Sequence, residues 1–132
     1  MLSKRSAAII TAYTGFSIGD FGDARDYMEE LMEKDPKLNP FAMDDSMKDA
    51  SRADFLAIKV DDNDPEAMTE REAAIITAFT GIAMGNFGVA QGYFEEVLGH
   101  PVWTHELAQK HVWMEIKEKA RPDFIALHES IA

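Results

Sequence analysis

Residues 5–32 read RSAAIITAYTGFSIGDFGDARDYMEELM, and residues 71–98 read REAAIITAFTGIAMGNFGVAQGYFEEVL. Sixteen of these 28 positions are identical without a gap. Shared helical composition does not produce that agreement, so one module is written twice in the chain. The match continues more weakly beyond it. Pro36 pairs with Pro101, and Ala53-Asp54-Phe55-Leu56-Ala57-Ile58 pairs with Pro122-Asp123-Phe124-Ile125-Ala126-Leu127. Between those anchors copy one is four residues shorter, close to one helical turn. The copies are placed at residues 3–60 and 69–131, with the polar stretch 61–68, containing Asp61-Asp62-Asn63-Asp64-Pro65-Glu66, as the linker.

Ile9, Ala12, Tyr13 and Phe16 recur at helical spacing, as do Ile75, Ala78, Phe79 and Ile82. Ser3 and Thr69 are matched N-caps, and Thr69-Glu70-Arg71-Glu72 has the form of a capping box. Apolar residues also occupy the other face, which predicts a first helix buried over most of its circumference. Gly15 and Gly81 are expected inside or near the end of that helix, where a neighbouring backbone comes close. Gly19 and Gly85 are expected to end it. Asp20 and Asn86 are N-caps for a second helix. Asn39-Pro40 and Thr104-His105 open a third, and residues 51–60 and 121–129 form a short fourth. No segment alternates convincingly as a strand, although Ile58-Lys59-Val60 is extended enough in character to form a short one. The fold class is therefore all-α: a tandem duplication of a three-to-four-helix module. A 60-residue module buries too little surface alone, so the halves are expected to pack about a pseudo-two-fold axis.

The chain of 132 residues carries a net charge of −11 and no cysteine. Disulfides, thiolate catalysis and cysteine-type zinc sites are excluded. Both halves are acidic: 8 Lys+Arg against 14 Asp+Glu in residues 1–65, and 5 against 10 in residues 66–132. Phosphate backbones and anionic lipid are bound by basic residues, so neither nucleic acid nor a membrane is an expected partner. No stretch approaches the roughly 20 apolar residues that cross a bilayer, and a cytoplasmic location is expected.

The string Ala73-Ala74-Ile75-Ile76-Thr77-Ala78-Phe79-Thr80-Gly81, then Gly85-Asn86-Phe87, then Glu95-Glu96-Val97-Leu98-Gly99-His100-Pro101-Val102-Trp103-Thr104-His105-Glu106-Leu107-Ala108 resembles a small domain family of phages and prophages. Members of that family read as a single copy and have no assigned activity. The resemblance implies a viral origin, and with it a host-cell cytoplasm as the location. Copy one departs from the later motif, with Pro36-Lys37-Leu38-Asn39-Pro40-Phe41 in its place.

Signs of chemistry are sparse. His105 and Glu106 are adjacent and point about 100° apart on a helix, and no HExxH spacing joins them to His100 or His111. His111 and Glu115 are at i,i+4, an ordinary pair. No nucleophile–base pair is evident, so neither a metal nor a cofactor is expected, and no enzymatic activity. Trp103 reads as a hydrophobic staple beside the Thr104 cap. The repeated threonines Thr11, Thr14, Thr77 and Thr80 are expected to bond back to the preceding turn.

Two functional readings follow. The first is a non-enzymatic accessory protein that binds a host or phage protein, as a monomer or weak homodimer. Its sharper form is a host-defence inhibitor whose acidic face, Asp20, Asp23, Asp26, Glu29, Glu30 and Glu33, occludes a basic groove. The second is a binder of nucleotide-like small ligands, using a cleft between the modules near Tyr13, Thr14, Phe79, Thr80, Trp103, His105 and Glu106.

Overall fold

The computed structural model describes residues 2–39 and 45–131. It is helical: α1 (Lys4–Thr14), α2 (Phe21–Lys34), α3 (Ser46–Leu56), α4 (Glu70–Thr80), α5 (Phe87–Leu98), a short 3-10 helix (Thr104–Ala108) and α6 (Lys110–Ile131). Among the described residues there is no strand. Val60 and Met68 make a single bridge. No helix is long and apolar enough to cross a membrane, among the described residues.

The chain divides into two compact units. An N-terminal unit holds Leu2–Lys59 together with the tail from His128 onward, and a C-terminal unit holds Val60–Leu127. The boundaries cross the expected module limits in both directions. Residues 61–68 are ordered against the C-terminal unit: Ala67 and Met68 are buried, and the Asp61 N–H donates to the Met68 carbonyl at 2.9 Å. The tail closes the N-terminal unit, where His128 Nδ1 accepts the Gly19 N–H at 2.9 Å.

Each unit is built on its first helix. In α4 every residue from Ala73 to Phe79 is buried, and in α1 every residue from Ala7 to Thr11. A helix enclosed on all sides has no water for its polar side chains, so its threonines need partners inside. They find them twice. Thr11 Oγ1 donates to the Ala7 and Ile18 carbonyls at 3.0 and 3.2 Å and accepts the Ile18 N–H at 3.1 Å. Thr77 Oγ1 does the same with Ala73, Met84 and the Met84 N–H at 2.8, 3.2 and 3.0 Å. Thr14 and Thr80 bond back to Ile10 and Ile76 and receive the N–H of Phe16 and Ile82. The expected bond to the preceding turn is present. The same hydroxyls also pin the following loop to the helix.

The cap at Thr69 is a capping box, Glu72 Oε1 accepting the Thr69 N–H at 2.8 Å. Ser3, Asp20 and Asn86 also cap as expected. Gly15 and Gly81 stand at the helix end, but the close approach expected of them is absent. Gly15 and Gly81 are the left-handed C-caps at φ 79° and 75°, and nothing lies within 4 Å of a Cβ there. The close approach falls on Gly19 and Gly85 instead. A Cβ on Gly85 would sit 3.0 Å from Ala73 Cβ, and one on Gly19 3.1 Å from Ile131 Cγ2.

The later helices differ from the expectation. Residues 104–108 form only a 3-10 turn, whose N-cap position is Trp103 rather than Thr104. α6 then runs unbroken through Pro122. Proline removes one i→i−4 bond. Val112, Ile116, Ala120, Phe124 and Leu127 nevertheless stay buried at three-to-four-residue spacing across it, and that apolar stripe carries the helix on. In copy one α3 ends at Leu56, short of the expected Val60. The expected Asn39-Pro40 helix start falls at the edge of residues 40–44, which lie outside the described residues.

Candidate functional site

Both units place a cavity beside the end of their first helix. In the C-terminal unit it measures about 300 Å³ and is lined by Ala78, Phe79, Thr80, Gly81, Lys110, Trp113, Met114 and Lys117. In the N-terminal unit the matching residues Ala12, Tyr13, Thr14, Gly15 and Lys48 line a cavity of about 700 Å³. The larger cavity runs along α2, past Phe21, Arg25, Met28, Glu29 and Met32, to Met47. The floor is alike in both. Tyr13 stacks on Phe55 at 4.2 Å and Phe79 on Phe124 at 4.1 Å, with Lys48 and Lys117 over the Tyr13 and Phe79 rings.

The difference in size has a chain-level cause. In copy two Gly99 adopts φ 78° and ends α5 at Leu98. The chain then turns back, and Val102 docks on α5. Gln91 Nε2 donates to the Val102 carbonyl at 2.9 Å, and Glu95 Oε2 accepts the Val102 N–H at 2.8 Å. Val102 and Leu107 are buried. Phe94, fully buried, meets Phe87 and Trp113 edge-on at 6.3 and 5.2 Å. In copy one Glu33 stands at the step of Gly99. A side chain disfavours the left-handed turn, and α2 runs on to Lys34. The Lys37 N–H, at the step matched to Val102, goes to Asp35 Oδ1 at 3.1 Å, and the Leu38 N–H to the Asp35 carbonyl. The groove that copy two fills with its own chain is, among the described residues, unfilled beside Met28, Met32 and Met47 in copy one.

A second constellation is also duplicated. Arg5 holds Glu30 through both guanidinium nitrogens at 2.8 and 3.2 Å and lies 5.1 Å from the Tyr27 ring centre. Tyr27 Oη donates to Asp54 at 2.6 Å. Arg71, Glu96, Tyr93 and Asp123 repeat this arrangement.

A model of a domain of unknown function (DUF7736) matches residues 4–61 and 70–130. The chain belongs to this family. It carries the DUF7736 domain twice, and the repeated bonds above are internal to each copy. No curated protein and no solved structure matches the chain.

Within the DUF7736 copies the sequence-expected residues are distributed as follows. Tyr13 and Thr14 line the larger cavity, wholly inside the N-terminal unit. Phe79 and Thr80 line the smaller one, inside the C-terminal unit. Trp103 is 69% exposed, so it is not packed as a staple. His105 is exposed, and Glu106 serves as a cap, accepting the Trp103 N–H at 3.0 Å. The acidic candidates take different local roles. Asp20 caps α2. Asp23, Asp26 and Glu30 border a groove with Lys4 and Arg5, while Glu29 lines the cavity and Glu33 is exposed. Among the described residues no group of three His, Asp or Glu is placed to hold a metal. Arg25 and Glu29, which line the larger cavity, were not among the sequence-expected ligand or partner residues as a pair. Their i,i+4 spacing, matched by Gln91 and Glu95, was the available signal.

The paired tyrosines yield a pH prediction. Burial, then the bond to Asp54 or Asp123, raises both phenols above the ordinary 10.0. A group raised on folding stabilises the fold below its unfolded value. That contribution is lost as pH climbs toward the folded one. Alkaline titration of phenolate absorbance is expected to show a late component, and a Tyr27→Phe, Tyr93→Phe variant is expected to lack it.

Proposed function

We propose that the protein acts by binding another protein, without catalysis, through the groove of copy one, and that it is an accessory protein of phage or prophage origin. The single observation that supports this is the cavity beside α2 of copy one, which no described residue fills as Val102 fills copy two. Methionine-lined surfaces adapt to varied apolar side chains and recur at protein-binding grooves. Three methionines line this one, and four charged groups, Arg25, Glu29, Asp45 and Lys48, stand among them. An acidic chain with a net charge of −11 further favours a basic partner. The sequence pattern of copy two supports the phage origin.

The test is retention of partners from a host-cell lysate by the full chain. Met28→Glu with Met32→Glu keeps good helix formers in α2 while placing charge in the groove. The expected result is loss of the retained proteins with unchanged helicity. Ile125→Glu, on the exposed surface of α6 and away from both cavities, is expected to retain them. Identical retention by all three proteins contradicts the proposal.

One observation favours a second reading. The cavity of about 700 Å³ falls within the volume range of small-molecule sites, and the stacked Tyr13–Phe55 pair with Lys48 above it suits a flat anionic ligand. A melting temperature that rises with a nucleotide and not with lysate proteins would favour it.

A further inference from the structure

We infer that the groove of copy one takes an extended peptide segment of its partner, read through the backbone by Arg25 and Glu29 as copy two's own Val102 is read by Gln91 and Glu95. This rests on the protein-binding reading and names the chemistry of the occupant.

The argument starts from copy two, which shows what fits such a groove. Two side chains one helical turn apart engage both main-chain groups of a single residue. Gln91 donates to the Val102 carbonyl and Glu95 accepts the Val102 N–H, at 2.9 and 2.8 Å. The Val102 side chain is thereby delivered into the core. Recognition of this kind reads peptide backbone for affinity and one apolar side chain for selectivity.

Copy one keeps the chemistry, and none of its described residues takes the place of Val102. Glu29 is identical to Glu95, and Arg25 replaces one N–H donor with another at the step of Gln91. The pair is still at i,i+4 on α2, and both side chains line the open cavity. Meanwhile the described chain that should have returned is engaged elsewhere, the Lys37 and Leu38 N–H groups turning onto Asp35. Met28 and Met32 stand where copy two has Phe94 and Leu98. Flexible thioethers in those positions accommodate a guest side chain that a phenyl ring would exclude. The occupant is therefore an extended segment presenting one apolar residue, with its N–H toward Glu29 and its carbonyl toward Arg25.

The probe is a synthetic peptide with the sequence of residues 99–108, GHPVWTHELA, added to the full chain labelled at the methionine methyls. The expected result is saturable shifts at Met28, Met32 and Met47 and none at Met114. Glu29→Ala is expected to weaken binding about tenfold or more, since charged hydrogen bonds carry that much, and so is the peptide with aspartate in place of its valine. Absence of shifts, shifts at other methyls, or indifference to Glu29→Ala overturns the inference. So do nuclear Overhauser contacts from the Met28 methyl to residues 40–44 of the same chain, which would assign the groove to the protein's own connection. The two levels separate cleanly. If the peptide fails while Met28→Glu, Met32→Glu still abolishes partner retention, protein binding stands and this inference falls. If retention ignores the groove variant, the protein-binding reading falls whatever the peptide does.

Discussion

Replacing Thr77 with valine is expected to lower the unfolding free energy by about 2–4 kcal/mol, because the N–H and the carbonyl of Met84 each lose a buried partner at about 1–3 kcal/mol. Valine matches threonine in shape, so no cavity opens and packing is retained. The cost is confined to polar groups. The Thr77 hydroxyl is 2% exposed as a residue and Met84 7%, so water does not reach the orphaned groups. Met84 lies in the loop between α4 and α5, outside any helix, and no ladder bond replaces the hydroxyl. Urea unfolding of Thr77→Val against wild type measures the effect. A loss below about 0.5 kcal/mol, the scatter of ordinary surface substitutions, contradicts it. Thr11→Val is expected to behave alike, since Thr11 holds the N–H and the carbonyl of Ile18 in the same way.

Gly85→Ala is expected to cost about 2–4 kcal/mol, the sum of a left-handed backbone carrying a side chain and of overpacking. Its φ is 72°, and the new Cβ would meet Glu70 Oε2 at 2.9 Å and Ala73 Cβ at 3.0 Å. The Glu70 side chain can swing away, although its Oε2 then leaves the Asn86 N–H it accepts at 2.9 Å. Ala73 cannot move, because it sits in the enclosed helix α4. Gly81→Ala isolates the backbone part. Its φ is 75° and its Cβ would meet nothing within 4 Å, so only the left-handed cost of about 1–2 kcal/mol is expected. Equal losses at the two positions would show that packing at Gly85 contributes nothing.

The scaffold was legible in the sequence because it rests on local signals. Hydroxyl, carboxylate and carboxamide caps at Ser3, Thr69, Asp20 and Asn86 act within three residues, and the apolar run of the first helix shows its enclosure directly. What was not legible depends on chain distant in sequence. Whether Gly15 or Gly19 receives a neighbour is decided by Ile131, more than 100 residues away. The continuity of α6 through Pro122 is decided by what its apolar face packs on, not by the proline. The site was legible in part. Tyr13 and Thr14 do line a cavity, but the chemistry proposed for Arg25 and Glu29 becomes visible only once Val102 is seen seated on their counterparts. Glu33 at the step of Gly99 was visible as a letter. Its consequence, a longer α2 and a displaced return segment, required the backbone.

The central claim is that both copies build the same scaffold around the same buried hydroxyl. Hydrogen exchange at two backbone amides tests it most directly. Ile18 and Met84 lie in loops where no helical bond protects them, and each N–H donates to a threonine hydroxyl at 3.1 and 3.0 Å. The account expects both amides to be protected to a similar degree, well above loop amides such as that of Ser17. Protection at one and free-peptide exchange at the other would contradict it.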